Sequence, residues 1–150
     1  MIVLDTNVVF EPLRPAPDQA VLDWLDAQEP QTLYMTTVNL AELLAGVELL
    51  PAGRRRDALA QVLSTQVVAL FGGRVLPLDA EAAEVFAKTC ASAQAQGNTM
   101  GFADCAIAAI AGAHGFAVAT RNTRDFKGAG VEVIDPWAFG KARKDRVGVG

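Results

Sequence analysis

Apolar positions along the chain fall into short continuous runs, separated by longer stretches in which they recur every three or four residues. The first run, MIVL at 1–4, reads as a strand and ends in the turn-prone triplet Asp5-Thr6-Asn7. A helix is predicted over 19–27 with Asp18 as its cap, since Val21, Leu22 and Leu25 share one face. Residues 32–37 read as a strand, and 38–50 as a helix stopped by Pro51. Residues 53–71 read as one helix ended by Gly72 and Gly73, 74–79 as an extended segment, and 80–96 as a helix closed by Gly97. A further helix ends near Gly115 and leads into strand 116–120, loop 121–126, strand 131–135 and a short terminal helix beginning at 136–139. No repeat, low-complexity segment or linker divides the chain. Strands separated by helices predict an α/β fold with a largely parallel sheet, in which sites form beyond the carboxyl ends of strands.

One position breaks the pattern. Asp104 sits in the apolar stretch TMGFADCAIAAIAGAHGF (99–116), and its neighbours at helical spacing are Met100, Gly101, Ile107 and Ala108. None of them can pair with a carboxylate, and burying one without a partner costs several kcal/mol or protonates it. Other acids fall at strand ends or early in helices. Asp5 directly follows the first strand, Glu42 lies early in the helix after the second, and Asn122 and Asp125 occupy the loop after strand 116–120. Converging carboxylates repel one another unless divalent cations sit among them, and hard cations such as Mg²⁺ take oxygen ligands and retain water. A metal is thus the partner expected for Asp104.

Each acid also has a plainer role open to it. Asp5 fits a turn or cap after a strand, Glu42 lies three residues after Asn39 at capping-box spacing, and Asp125 fits a turn. Asp79 reads as the N-cap of the helix that follows it, and His114 as a helix-end residue. With a single histidine and no paired cysteine motif, zinc is not expected.

Composition narrows the class. A chain of 150 residues, 51% hydrophobic and 20% charged, is a globular domain with a real core. A net charge of −4 argues against a broadly basic nucleic-acid-binding surface, but a nuclease with an acidic metal site remains compatible with it. The basic clusters at 53–56 and 140–146 read as solvated faces. Cys90 and Cys105 are expected to be reduced, buried small hydrophobes of a cytosolic protein. No signal-like start and no apolar run of about 18 residues are present, so a cytoplasmic protein without a membrane partner is expected.

With these residues in place, the sequence resembles the PIN-domain family, specifically VapC-type toxins of bacterial toxin–antitoxin operons and the branch containing FitB and plasmid-stability proteins. The resemblance is carried by IVLDTNVVFEPLRP (2–15), TTVNLAELLAGVELLP (36–51), GFADCAIAAIAGAHG (101–115), VATRNTRDF (118–126) and VIDPW (133–137), in order and over nearly the whole chain. It implies a Rossmann-like α/β/α sandwich over residues 1–140 and a Mg²⁺- or Mn²⁺-dependent ribonuclease, with 141–150 left as a mobile tail. By motif match Asp5, Glu42 and Asp104 are the metal-binding acids. Where the family often has a fourth acid this sequence has Asn122; either Asp125, three residues on, substitutes for it in the catalytic set, or a second metal is weakly held. Thr6 and Thr120 match supporting hydroxyl positions, and Arg14, Arg121 and Arg124 are candidates to hold RNA phosphates. In the implied mechanism, water activated on an ion held by Asp5 and Asp104 attacks a phosphodiester, while Glu42 binds through water or removes the proton. The resemblance further implies a homodimer and a cognate antitoxin that blocks the acidic pocket, typically with an arginine. DNA would be met only through that antitoxin, and tRNA or rRNA is the kind of substrate implied.

Two other readings are open to the sequence. A haloacid-dehalogenase-type phosphatase wants a second aspartate two residues after the first, and here Asn7 stands at that position. A degenerate PIN-fold interaction module, binding an antitoxin-like partner without turnover, is kept open by Asn122.

Overall fold

The computed structural model describes residues 1–141, so the tail predicted over 141–150 lies outside the described residues from 142 onward. Five strands, β1 (Ile2–Leu4), β2 (Leu33–Thr36), β3 (Val75–Leu76), β4 (Ala117–Ala119) and β5 (Val133–Ile134), form one sheet in the order β3-β2-β1-β4-β5. Every pairing is parallel; Ile2 stands opposite Leu33 on one side and Ala117 on the other. From β1 the chain builds outward to β2 and β3, then returns to lay β4 and β5 on the other side of β1. The strand order therefore reverses between β1 and β4.

Alternation along the strands divides the core in two. Leu4, Leu33, Met35 and Ala119 point to one face. There they pack with Val8 and Val9 of α1 (Thr6–Phe10), Val21 and Trp24 of α2 (Gln19–Asp26), and Leu43 and Val47 of α3 (Thr37–Glu48). Val3 and Val118 point to the other face, against Ile107, Ala108 and Ala111 of α7 (Phe102–His114). Cys105–Ala111 are all buried because α7 lies between the sheet and α6 (Ala80–Ala95), and the small alanines let both neighbours approach closely. Gly115 ends α7 in the left-handed region at φ 71°, where a side chain would be strained. The result is the α/β/α sandwich expected.

Several local expectations are corrected. The triplet after β1 does not end in a turn: Asp5 caps α1, which starts at Thr6, because Val8 and Val9 can be buried at once. The helix expected over 53–71 divides into α4 (Arg54–Val62), a π segment (Leu63–Val67) and α5 (Val68–Phe71). Its buried residues Leu63, Val67 and Phe71 are each four apart, which keeps one side on the core through the change. The terminal helix is a single 3₁₀ turn, Pro136–Ala138, capped by Asp135. Cys90 and Cys105 are not free thiols but a disulfide joining α6 to α7, with Cα atoms 6.2 Å apart. Their spacing of 15 shows no pairing motif. The pairing arises because α6 and α7 pack side by side, which places the two positions within bridging distance.

Candidate active site

The point where strand order reverses, between the carboxyl ends of β1 and β4, is where open α/β sheets bind ligands. Asp5 sits there, 4% exposed, with its backbone N–H donating to the Ala119 carbonyl at 2.9 Å. Its carboxylate is held from two sides. Oδ1 accepts from the Thr6 N–H at 2.8 Å, and Oδ2 accepts from the Thr120 hydroxyl at 2.7 Å. The Thr120 oxygen in turn accepts from the Asn122 N–H at 3.0 Å. Burial pushes the Asp5 carboxyl above its ordinary value, the two hydrogen bonds pull it back, and Glu42 and Asp125 add to the rise.

Glu42 projects from the second turn of α3, and its Oε1 accepts from the Thr6 hydroxyl at 2.7 Å. The capping box open to Glu42 belongs to other residues. Thr36 and Asn39 form it reciprocally, so Glu42 is left for the pocket. Asn39, fully buried, also accepts from the Thr36 hydroxyl at 2.6 Å and donates from Nδ2 to the Thr6 oxygen at 3.1 Å. Sequence reasoning saw Asn39 only as a possible helix start. Its asparagine amide, two-sided where a carboxylate could only accept, was the available signal.

Asp104 occupies the first turn of α7, half-buried. Among the described residues it has no ion pair, and no hydrogen bond offsets its burial. Burial first, then repulsion from Asp5, Asp125 and Glu42, raises its carboxyl to about 6. The structure thus brings Asp5, Glu42 and Asp104 to the wall of one pocket of about 410 Å³, together with Thr6, Asn7 and Asn122. Asp125 lies on the 3₁₀ turn Thr123–Phe126, close enough to act on both aspartates but not on that wall. The turn is clasped by Asn98, whose Nδ2 donates to the carbonyls of Asp125 and Lys127 at 3.1 and 2.8 Å.

The three candidate arginines are not drawn to this wall. Arg14 pairs at 3.2 Å with Glu11, a buried acid the sequence reading did not single out, whose other oxygen accepts from the Asp18 N–H. Arg121 lies 5.3 Å from the Trp137 ring centre, and Arg124 is exposed. Among the described residues the cation on the pocket wall is Arg55, from the cluster read as a solvated face.

Among the described residues, no three acidic, histidine or cysteine side chains close on a common point. The donor set still fits a hard divalent cation in kind. It offers only oxygen, none of its carboxylates is in an ion pair among the described residues, and Asp5 and Asp104 are pushed toward protonation by burial and, after that, by their neighbours' charge.

This fold, with carboxylates gathered at its strand-order reversal, belongs to the PIN-domain family, whose model matches residues 2–131. The chain is 47% identical over 137 residues to the plasmid stability protein StbB of Pseudomonas syringae pv. tomato, covering 91% of this chain and 99% of that one. It is equally similar, 47% over 137 residues, to VapC ribonuclease Y4jK of Sinorhizobium fredii, covering 91% and 98%. Toxin FitB of Neisseria gonorrhoeae is 42% identical over 137 residues, covering 91% and 99%. Among solved structures, FitAcB from Neisseria gonorrhoeae aligns with a TM-score of 0.88 at 42% identity, over 91% of this chain and 99% of that one. FitAB bound to an IR36 DNA fragment aligns with a TM-score of 0.88 at 40% identity, over 91% and 96%. Among the described residues no helix is long and apolar enough to cross a membrane.

Proposed function

We propose that this chain is the toxin of a type II toxin–antitoxin pair and hydrolyses RNA phosphodiesters with Mg²⁺ or Mn²⁺. The observation that carries the reading is the meeting of Asp5, Glu42 and Asp104, from three separate elements, at one pocket, with none of them in an ion pair among the described residues. The names of VapC ribonuclease Y4jK and toxin FitB support it. Asp5, Asp104 and Glu42 would hold the ion, with Asp125 or Asn122 at the fourth position. Such an ion supplies a Lewis acid for the phosphate and water of lowered pKa. The protein's own part is positional. Thr6 and Thr120 fix both oxygens of Asp5, and Thr6 also orients Glu42 to receive the proton of the attacking water. The FitAcB and FitAB complexes support a cognate antitoxin as partner, with DNA reached through it; the homodimer is proposed on the family resemblance alone.

The test is incubation of antitoxin-free protein with total tRNA and Mg²⁺ or Mn²⁺, beside Asp5→Asn and an EDTA control. Discrete cleavage lost in both controls is expected. Metal binding without cleavage of any RNA would favour the second reading, a degenerate binding module. Asn122 at the family's fourth acidic position is the observation on its side.

A further inference from the structure

The acidic pocket extends well beyond its carboxylates. Phe10 of α1, Leu43 and Val47 of α3, Leu50 and Leu59 line the rest of it, and Arg55 is its one cationic lining residue among the described residues. A Cβ built on Gly46, which also lines the pocket, meets nothing within 4 Å, so this part is open to a ligand. Arg55 is exposed, and the two ion pairs among the described residues, Arg14–Glu11 and Arg56–Glu48, do not include it. Its place is also unfavourable for the helix. Arg54–Arg56 open α4, where the partial positive charge of the N-terminus disfavours cations. Arg56 is offset by Glu48 at 2.8 Å; Arg55 has no such offset and gives α4 nothing.

An anionic strand approaching a protein of net charge −4 needs local cations. The lining of this pocket includes carboxylates suited to a phosphate-bound metal, an apolar set with an aromatic ring, and Arg55. We propose, resting on the ribonuclease reading above, that Arg55 holds the backbone phosphate next to the scissile one in single-stranded RNA. The intervening nucleoside lies against the wall formed by Phe10, Leu43 and Val47. Arg55 is therefore a substrate-positioning residue, and it favours unpaired RNA because a single nucleotide must enter the pocket.

The test is steady-state cleavage of a single-stranded RNA oligonucleotide by wild type, Arg55→Gln, Arg55→Lys and Arg54→Gln, at several salt concentrations. Arg54 neighbours Arg55 but does not line the pocket, so it reports the general field of the cluster. Arg55→Gln is expected to raise KM about fivefold with kcat within about twofold, the size of one exposed charge contact. The slope of log affinity against log salt, read by binding on an Asp104→Asn background, should fall by about 0.7, one single-strand phosphate contact. Arg55→Lys should recover most of the slope, and Arg54→Gln should match wild type. An Arg55→Gln enzyme with wild-type KM and salt slope overturns the assignment while leaving the ribonuclease reading standing. So does an equal effect from Arg54→Gln, or one confined to binding of a protein partner. A wild-type protein that neither cleaves nor binds RNA overturns both.

Discussion

The end of β1 and the first turn of α7 each present one aspartate to the same pocket, and the protein surrounds the two differently. Around Asp5 both carboxylate oxygens are engaged, by the Thr6 N–H and the Thr120 hydroxyl, so its orientation is set before any ligand arrives. Around Asp104 there is burial and like charge, and among the described residues no hydrogen bond offsets them. The first arrangement makes a pre-organised ligand; the second leaves a charge whose partner must come from outside. One rigid acid and one unsatisfied acid together suit a reversible cation site, because satisfying both with protein groups would remove the need for the ion.

The largest test of this contrast is activity. Asp5→Asn and Asp104→Asn should each lower RNA cleavage on the order of 10²–10³-fold or more, the loss expected when several kcal/mol of metal-assisted stabilisation disappears. Circular dichroism should show the fold retained in both. Next, Thr120→Val should destabilise the protein by about 1–3 kcal/mol in denaturant unfolding, because a fully buried hydroxyl serving Asp5 and the Asn122 N–H is lost. The corresponding loss at Asp104 does not exist, so Asp104→Asn should leave the metal-free protein at pH 7 as stable as wild type or more so.

Smaller still is the pH dependence of the metal-free protein. The folded Asp104 carboxyl titrates at about 6, above its ordinary value of 3.8, and Asp5 is shifted in the same direction. The folded state therefore holds protons that the unfolded chain has released, and this contribution is lost as pH rises from about 4 through about 6. In EDTA, the melting temperature of wild type relative to Asp104→Asn should fall across that window. Excess Mg²⁺ should raise it most at pH 7 and above. A difference between the two proteins that stays flat with pH would remove the special status of Asp104.

Much of this contrast could be read from the chain itself, and the exceptions share a cause. Asp104 stood out because its helical neighbours are apolar, and Asp5 because β1 is short, apolar and ends at it. Those signals are local. Thr36 capping α3 in place of the residues next to Glu42, the clasp of Asn98 on the turn bearing Asp125, and the Cys90–Cys105 bridge depend on segments meeting in space. The arginines show the same limit. Charge alone could not tell Arg14, committed to buried Glu11, from Arg55, which lines the pocket. Helix α1 was missed because a capping aspartate and a turn aspartate look identical until Val8 and Val9 find their core.

The chain of contacts from Thr36 to Glu42 has a direction. The Thr36 N–H can only donate, so the Asn39 atom facing it must be oxygen, and the amide nitrogen must then face Thr6. The Thr6 oxygen is thereby made an acceptor on that side, and its single hydrogen is left for Glu42 Oε1. The chain cannot run backward, since an amide nitrogen takes no proton. A proton captured by Glu42 must therefore settle on Oε2, insulated from the fold behind it, and can leave only toward the solvent side from which it came. The buried asparagine works as a stop for protons behind Glu42, a property that Asn39→Asp would erase without changing the size of the side chain.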